Sequence, residues 1–229
     1  MFKRYLKFNI IFALIFILQL VAELFDLQGL KIVVKPTITL CLLIMFSLAT
    51  NLKGRFHKRL FAGLIFALFG DSFLLFVELN GSFFIYGLIS FLLSHILYLS
   101  AFYLDFRSAP QLDKRGARIA VLFCGIFSTC FFFYLRPHLG IMRVPVLAYI
   151  LIISFMLMMA VFRNMRVNRL SFNLILFGAL LFILSDALLA YNRFVNPIAY
   201  SGVWIMATYM IAQYLITMGG IERKLVATE

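Results

Sequence analysis

The sequence predicts an all-α membrane protein of eight transmembrane helices, and three observations predict it. Apolar runs of about 20 residues, the length that spans a bilayer, recur along the whole chain. Only 13% of the 229 residues are charged and 64% are apolar, where a soluble domain carries about a quarter charged. The runs show no strand-like alternation and are too long for barrel strands. Helices, which satisfy their backbone internally, are the remaining solution.

The first run, 8–25, follows Lys3, Arg4 and Lys7 as a signal peptide's would. It ends in "VAELFD" with no small-x-small cleavage site, so a retained helix is expected. The second, 32–50, starts at "VVKPTITL", which puts Pro36 in the first turn, where a missing N–H costs little. The third, 59–77, contains "GLIFALFGDSFLLF" and Asp71. The fourth and fifth cover 83–104 and 116–134. The sixth, 142–163, starts at "MRVPVLAY" with Pro145. The seventh, 169–190, contains "GALLFILSDALLAY" and Asp186, and the eighth covers 198–219.

Charge sets the orientation. With the N-terminus in the cytoplasm, the segments on that side hold 16 of the 21 Lys and Arg residues. The other side holds Lys31, Lys35, Arg136, Arg143 and Arg193. This positive-inside bias predicts both termini in the cytoplasm of a multi-pass cell-membrane protein, with a bacterial inner membrane as the expected location. The net charge of +12 is therefore a topology signal with a secondary attraction to membrane lipids, and no nucleic-acid partner is expected.

The chain reads as one integral membrane domain, 1–229, with an internal repeat. Gly63 precedes Asp71 by eight residues, as Gly178 precedes Asp186, and a leucine follows each acid three residues later (Leu74, Leu189). The two aspartates fall in the third and seventh helices, and the proline starts in the second and sixth. Two parallel four-helix repeats, about 1–104 and 116–219, joined by a polar loop at 105–118, account for this spacing.

Asp71 and Asp186 are the only acids deep in a span, about 9 Å and 6 Å below the outer helix ends at 1.5 Å per residue. An intramembrane carboxyl costs roughly 2.5–3.5 kcal/mol on insertion scales and usually has a use. In the fourth helix Phe84, Gly87, Phe91, His95 and Tyr98 share one face. Lys35 sits near the outer boundary, where it can snorkel, pair with an aspartate or hold a phosphate. Tyr209 and Gln213 lie one turn apart in the eighth helix, and Asn192 and Arg193 close the seventh. The stripe of Gly63, Ala67 and Gly70 reads as helix packing.

Several chemistries are excluded by what is missing. A lone deep histidine and three cysteines without CxxC spacing (Cys41, Cys124, Cys130) give no metal site, and no cofactor is implied. No GxSxG or glycine-rich phosphate loop is present. The residues before Asp71 are Leu68-Phe69-Gly70, not the GxGD of intramembrane aspartyl proteases.

Lys35-Pro36, "GLIFALFGD", the FxxGxxxFxxxHxxY pattern from Phe84 to Tyr98, "GALLFILSDALLA" and "YMIAQ" occur in this order over about 180 residues. Together they resemble the YhhN-type lysoplasmalogenase family. The resemblance implies an enzyme that hydrolyses the vinyl ether bond of lysoplasmalogens to a fatty aldehyde and a glycerophospho-base. By motif it implies functional roles for Lys35, Asp71, His95, Tyr98, Asp186, Asn192, Tyr209 and Gln213. Two carboxyls in different ionisation states suit this chemistry, one as general acid, the other as cation stabiliser or water-activating base. The sequence does not assign which is which. A single-chain substrate would lay its tail against Phe84 and Phe91 and its phosphate near Lys35 and Arg193. The competing expectation is a proton-coupled lipid or solute transporter using the same aspartates as proton carriers.

Overall fold

The computed structural model describes residues 4–109 and 113–226. Lys3, residues 110–112 of the predicted loop and the last three residues lie outside the described residues. The described chain is helical: α1 (Leu6–Leu24), α2 (Gln28–Thr50), α3 (Gly54–Leu74), α4 (Ser82–Phe106), α5 (Lys114–Leu135), α6 (Arg143–Phe162), α7 (Arg169–Phe194) and α8 (Ser201–Ile221). Two short 3-10 turns link α5 to α6. Seven of these eight helices are long and apolar enough to cross a membrane. The exception is α3, whose first two turns carry Arg55, His57, Lys58 and Arg59. One of these charges is used internally: Arg59 donates to the Ser100 carbonyl of α4 at 2.7 Å. The chain is an all-helical, multi-pass membrane protein.

Three of the differences from the predicted helix limits bear on the site. α2 begins at Gln28, so Pro36 lies inside the helix rather than in its first turn. Lys31 made the start look like a boundary, but it is tied within the protein, 2.6 Å from Asp26 and 3.3 Å from Glu23. α3 stops three residues after Asp71, because the chain leaves the helix in turns leading to Asn80-Gly81. α7 continues eight residues beyond Asp186 and ends only ahead of Pro197. Measured from helix ends, the depths are therefore reversed, about 4–5 Å for Asp71 and about 12 Å for Asp186.

Small residues set the two closest helix pairs. A methyl group at Gly63 of α3 would fall 2.4 Å from the Tyr98 ring of α4, and one at Gly70 would fall 2.6 Å from Phe91. In the same way Gly178 of α7 meets the Ala212 carbonyl of α8, 3.0 Å from a would-be methyl. The small-residue stripe of α3 is thus a packing surface. Fully buried Phe46, Leu60, Leu64, Phe102, Phe182 and Ile216 fill the centre. α1 and α5 turn large apolar side chains outward, among them Ile17, Leu122 and Ile126, as lipid-facing helices do.

The end formed by the C-termini of the even-numbered helices is locked by a buried ion network. Asp105, at the end of α4, accepts from Arg163 Nε at 2.8 Å and from Arg223 Nε at 2.7 Å. Arg163 also donates to Ser171 Oγ of α7 at 2.9 Å, and that hydroxyl donates to the Gly219 carbonyl of α8 at 2.6 Å. Both Asp105 and Arg163 are fully buried. Beside the network Asp113 caps α5 by accepting from Gly116 N at 2.7 Å and from Asn164, and these donors hold its carboxyl below the usual range. The chain after α8 pairs antiparallel with the α6–α7 connection, Asn168 N to Lys224 O at 2.9 Å.

Candidate active site

At the opposite end, α2, α3, α4, α6, α7 and α8 bring most of the predicted residues together. Their helix starts and ends converge there because odd and even helices run in opposite directions. Asp71 is 1% exposed, and its Oδ2 accepts from Thr39 of α2 and from Tyr209 of α8, both at 2.7 Å. Tyr209 in turn accepts from Gln213 Nε2 at 3.2 Å, and Gln213 Oε1 accepts from Tyr98 at 2.8 Å. Four predicted residues therefore form one continuous buried chain, Asp71–Tyr209–Gln213–Tyr98.

Asp186 belongs to a second cluster. Its Oδ2 accepts from Tyr149 of α6 at 2.7 Å and lies 3.6 Å from His95 Nε2. His95 is fully buried, and neither ring nitrogen has a hydrogen-bond partner among the described residues. Its ring packs edge-on against Tyr149 and Phe182, with centroids 5.3 Å and 4.6 Å away. Phe182 then touches Tyr209, edge to face at 5.5 Å. The two aspartates are thus linked through Tyr209, Phe182 and His95, and no hydrogen bond joins them directly.

Asp186, with its side chain 16% exposed, opens into an apolar cleft. Phe84 and Phe91 of α4, Phe127 and Phe131 of α5, Tyr149 of α6 and Phe194 of α7 are among its walls. The space open to a water molecule's centre is about 50 Å³, so the cleft is narrow, and its lining is almost wholly apolar. Asp71 does not line it.

The remaining predicted residues sit at the edge. Lys35 makes no ion pair among the described residues. The Arg193 guanidinium lies over the Phe84 ring, 4.9 Å from its centroid. Asn192 is used locally, its Oδ1 accepting from Ile198 N at 2.8 Å, and it joins neither cluster.

Sequence reasoning missed Thr39 and Tyr149, the two donors that the proline-bearing helices supply to the aspartates. A signal was present: Thr39 follows Pro36 by three residues and Tyr149 follows Pro145 by four. Among the described residues no group of His, Cys, Asp and Glu is arranged to hold a metal.

The YhhN family model matches residues 30–220, which include both clusters and the cleft. The chain belongs to the YhhN family. Its relatives include two proteins named lysoplasmalogenase TMEM86A, from Bos taurus (34% identical over 173 residues) and Homo sapiens (30% over 172). Each match covers 72% of this YhhN chain and 66% of the relative. A lysoplasmalogenase TMEM86B from Sus scrofa is 31% identical over 176 residues, covering 77% of this chain and 69% of the relative. The chain thus matches just under two thirds of the length of the two TMEM86A relatives. No solved structure matches this YhhN chain.

Proposed function

We propose that this chain hydrolyses the vinyl ether bond of a lysoplasmalogen, releasing a fatty aldehyde and a glycerophospho-base with a choline or ethanolamine head. The observation that carries the reading is Asp186, a carboxyl held by Tyr149 and His95 at the wall of an apolar cleft. That is where a proton donor is needed when the reacting bond sits at the head of a long alkenyl chain. The names of the relatives point to the same substrate class.

In this reading Asp186 protonates the alkenyl carbon β to the ether oxygen, leaving an oxocarbenium ion at the α carbon. Water adds to that carbon and returns a proton to Asp186. The resulting hemiacetal collapses to aldehyde and glycerol hydroxyl, so the sum is vinyl ether plus water and needs no cofactor. Asp71, sealed behind Tyr209, is a positioning residue that supports the aromatic wall and contributes negative charge near the developing cation. Tyr98 and Gln213 hold Tyr209. His95 accompanies Asp186. The tail lies against Phe84 and Phe91, whose rings must part to admit it, with the phosphate toward Lys35 and Arg193.

The repeat and the topology belong to the same proposal, with 1–229 as a single integral domain. Asp71 on α3 is met by α2 (Thr39) and α8 (Tyr209), and Asp186 on α7 is met by α6 (Tyr149) and α4 (His95). A shift of four helices converts one set into the other, which supports parallel repeats about 1–104 and 116–219. The bias of 16 basic residues to 5 supports cytoplasmic termini in a bacterial inner membrane.

The test is direct. The purified chain is incubated with a lysoplasmalogen and with the corresponding saturated ether. Free aldehyde should appear from the first, in step with its loss, and not from the second. No aldehyde from either, with a folded protein, would refute the reading.

A further inference from the structure

About 26 Å along α3 from Asp71, at seventeen residues and 1.5 Å per residue, the helix starts at the rim of a second cavity. Its lining is Lys53, Gly54, Arg55, Phe56, Leu104, Arg107 and Arg223, four cations and no acid, around about 420 Å³. Beneath it Asp105 is shared between Arg163 and Arg223, so one carboxylate balances two guanidinium groups. Lys53, Arg55 and Arg107 are exposed and form no ion pair among the described residues. Among the described residues the Arg107 guanidinium lies over the Tyr103 ring, 6.0 Å from its centroid. The Arg223 guanidinium lies over Phe56, 4.2 Å from its centroid, which fixes one donor group at the apolar floor.

Basic residues flank membrane helices for topological reasons alone, and such residues are ordinarily spread along the rim. Here three separate segments, the α2–α3 connection with the first turn of α3, the end of α4 and the chain after α8, set theirs around one open cavity. We propose that this cavity binds the phosphate group of an anionic ligand, supplied by an anionic phospholipid of the membrane. Lys53, Arg55 and Arg107 give a phosphate charge-assisted hydrogen bonds beside Arg223, which keeps its bond to Asp105, and Arg55 and Arg107 are able to form bidentate pairs. The α3 amide groups have no side-chain cap and add a favourable field at that rim. Phe56 and Leu104 fit a glycerol and the first acyl carbons, a contact that a free phosphate would not use. The cavity lies at the end of the bundle remote from Asp186, so it is not the headgroup position of the substrate.

Full-length protein in a neutral detergent tests this with three probes: phosphatidylglycerol, phosphatidylcholine and inorganic phosphate. Phosphatidylglycerol should raise the thermal unfolding midpoint while phosphatidylcholine does not. The Arg55→Gln/Arg107→Gln variant should bind phosphatidylglycerol roughly tenfold or more weakly. Arg115→Gln/Arg118→Gln removes equal charge from the exposed start of α5 and should bind as the wild type does. A matching shift with inorganic phosphate would keep the site and assign it to free phosphate. Equal losses in both double variants, or no shift in the wild type, would overturn the proposal. A second measurement needs no variant: photoreactive phosphatidylglycerol should label wild-type peptides containing Phe56 or Leu104. Labelling found only elsewhere would also overturn it.

Discussion

The Tyr149 hydroxyl donates to Asp186 at 2.7 Å, and both side chains line the same apolar cleft. Tyr149→Phe removes that donor and changes little else in volume. A buried carboxyl deprived of a hydrogen bond loses about 1–3 kcal/mol. If the bond orients Asp186 toward the substrate, kcat for aldehyde release should fall roughly 10- to 100-fold with KM nearly unchanged. Unaltered kcat in a folded Tyr149→Phe protein would remove Tyr149 from the mechanism.

The two aspartates should respond alike to neutralisation although they sit in different clusters. Asp186→Asn and Asp71→Asn each keep the side-chain volume and remove the negative charge and the acidic proton. Each should lower kcat by about 10²-fold or more. Because the clusters are linked through Tyr209, Phe182 and His95, the double variant should be little worse than the weaker single one. Additive losses, measured in one aldehyde-release series, would show that the clusters act independently. Turnover in D₂O should also be slower if, as the proposed mechanism has it, proton transfer to carbon limits the rate.

In the proposed reading Lys35 meets the substrate's phosphate. It forms no ion pair among the described residues. Lys35→Gln should raise KM for phosphorylated substrates and leave kcat within about twofold, the pattern of lost uniform binding. Equal KM values for the two proteins would rule out a headgroup contact.

Helix packing gives a prediction independent of activity. Gly70→Ala puts a methyl group 2.6 Å from the Phe91 ring, and overpacking of this kind costs about 1–3 kcal/mol. Gly81 has nothing within 4 Å of the same methyl, so Gly81→Ala is the control. Thermal unfolding in detergent should separate the two, and Gly70→Ala at the wild-type midpoint would contradict the observed helix spacing.

The helical class and most residues of the two clusters were legible because they depend on short-range pattern. Apolar run length marks helices, and the 3.6-residue period put Phe84, Gly87, Phe91, His95 and Tyr98 on one face, which is buried in full. Tyr209 and Gln213, one turn apart, are hydrogen-bonded as their spacing suggested. Helix ends were less legible. Polar residues looked like boundaries, yet Lys31 is neutralised by Glu23 and Asp26, and Asn192 and Arg193 remain helical. Contacts between distant helices were illegible: nothing near Asp105 announces that it will meet Arg163 and Arg223, 58 and 118 residues later. Thr39 and Tyr149 were missed because threonine and tyrosine are ordinary in apolar helices, and only the acid opposite gives them significance.

The Asp105–Arg163–Arg223 network has a mechanical consequence. It pins α4, α6, α7 and α8 together at one end, and removing one partner from such a buried pair costs about 3–5 kcal/mol. α5 is tethered to the same end through Asp113 and Asn164. Rods fixed at one end separate by splaying at the other, and the free end is where the cleft lies. Its α5 wall is the one with fewest neighbours, since α5 rests chiefly on α6 while α7 is packed closely against α8. Under the proposed function, a long-chain substrate would enter sideways from the bilayer past the α5 wall, while the pivot stays still.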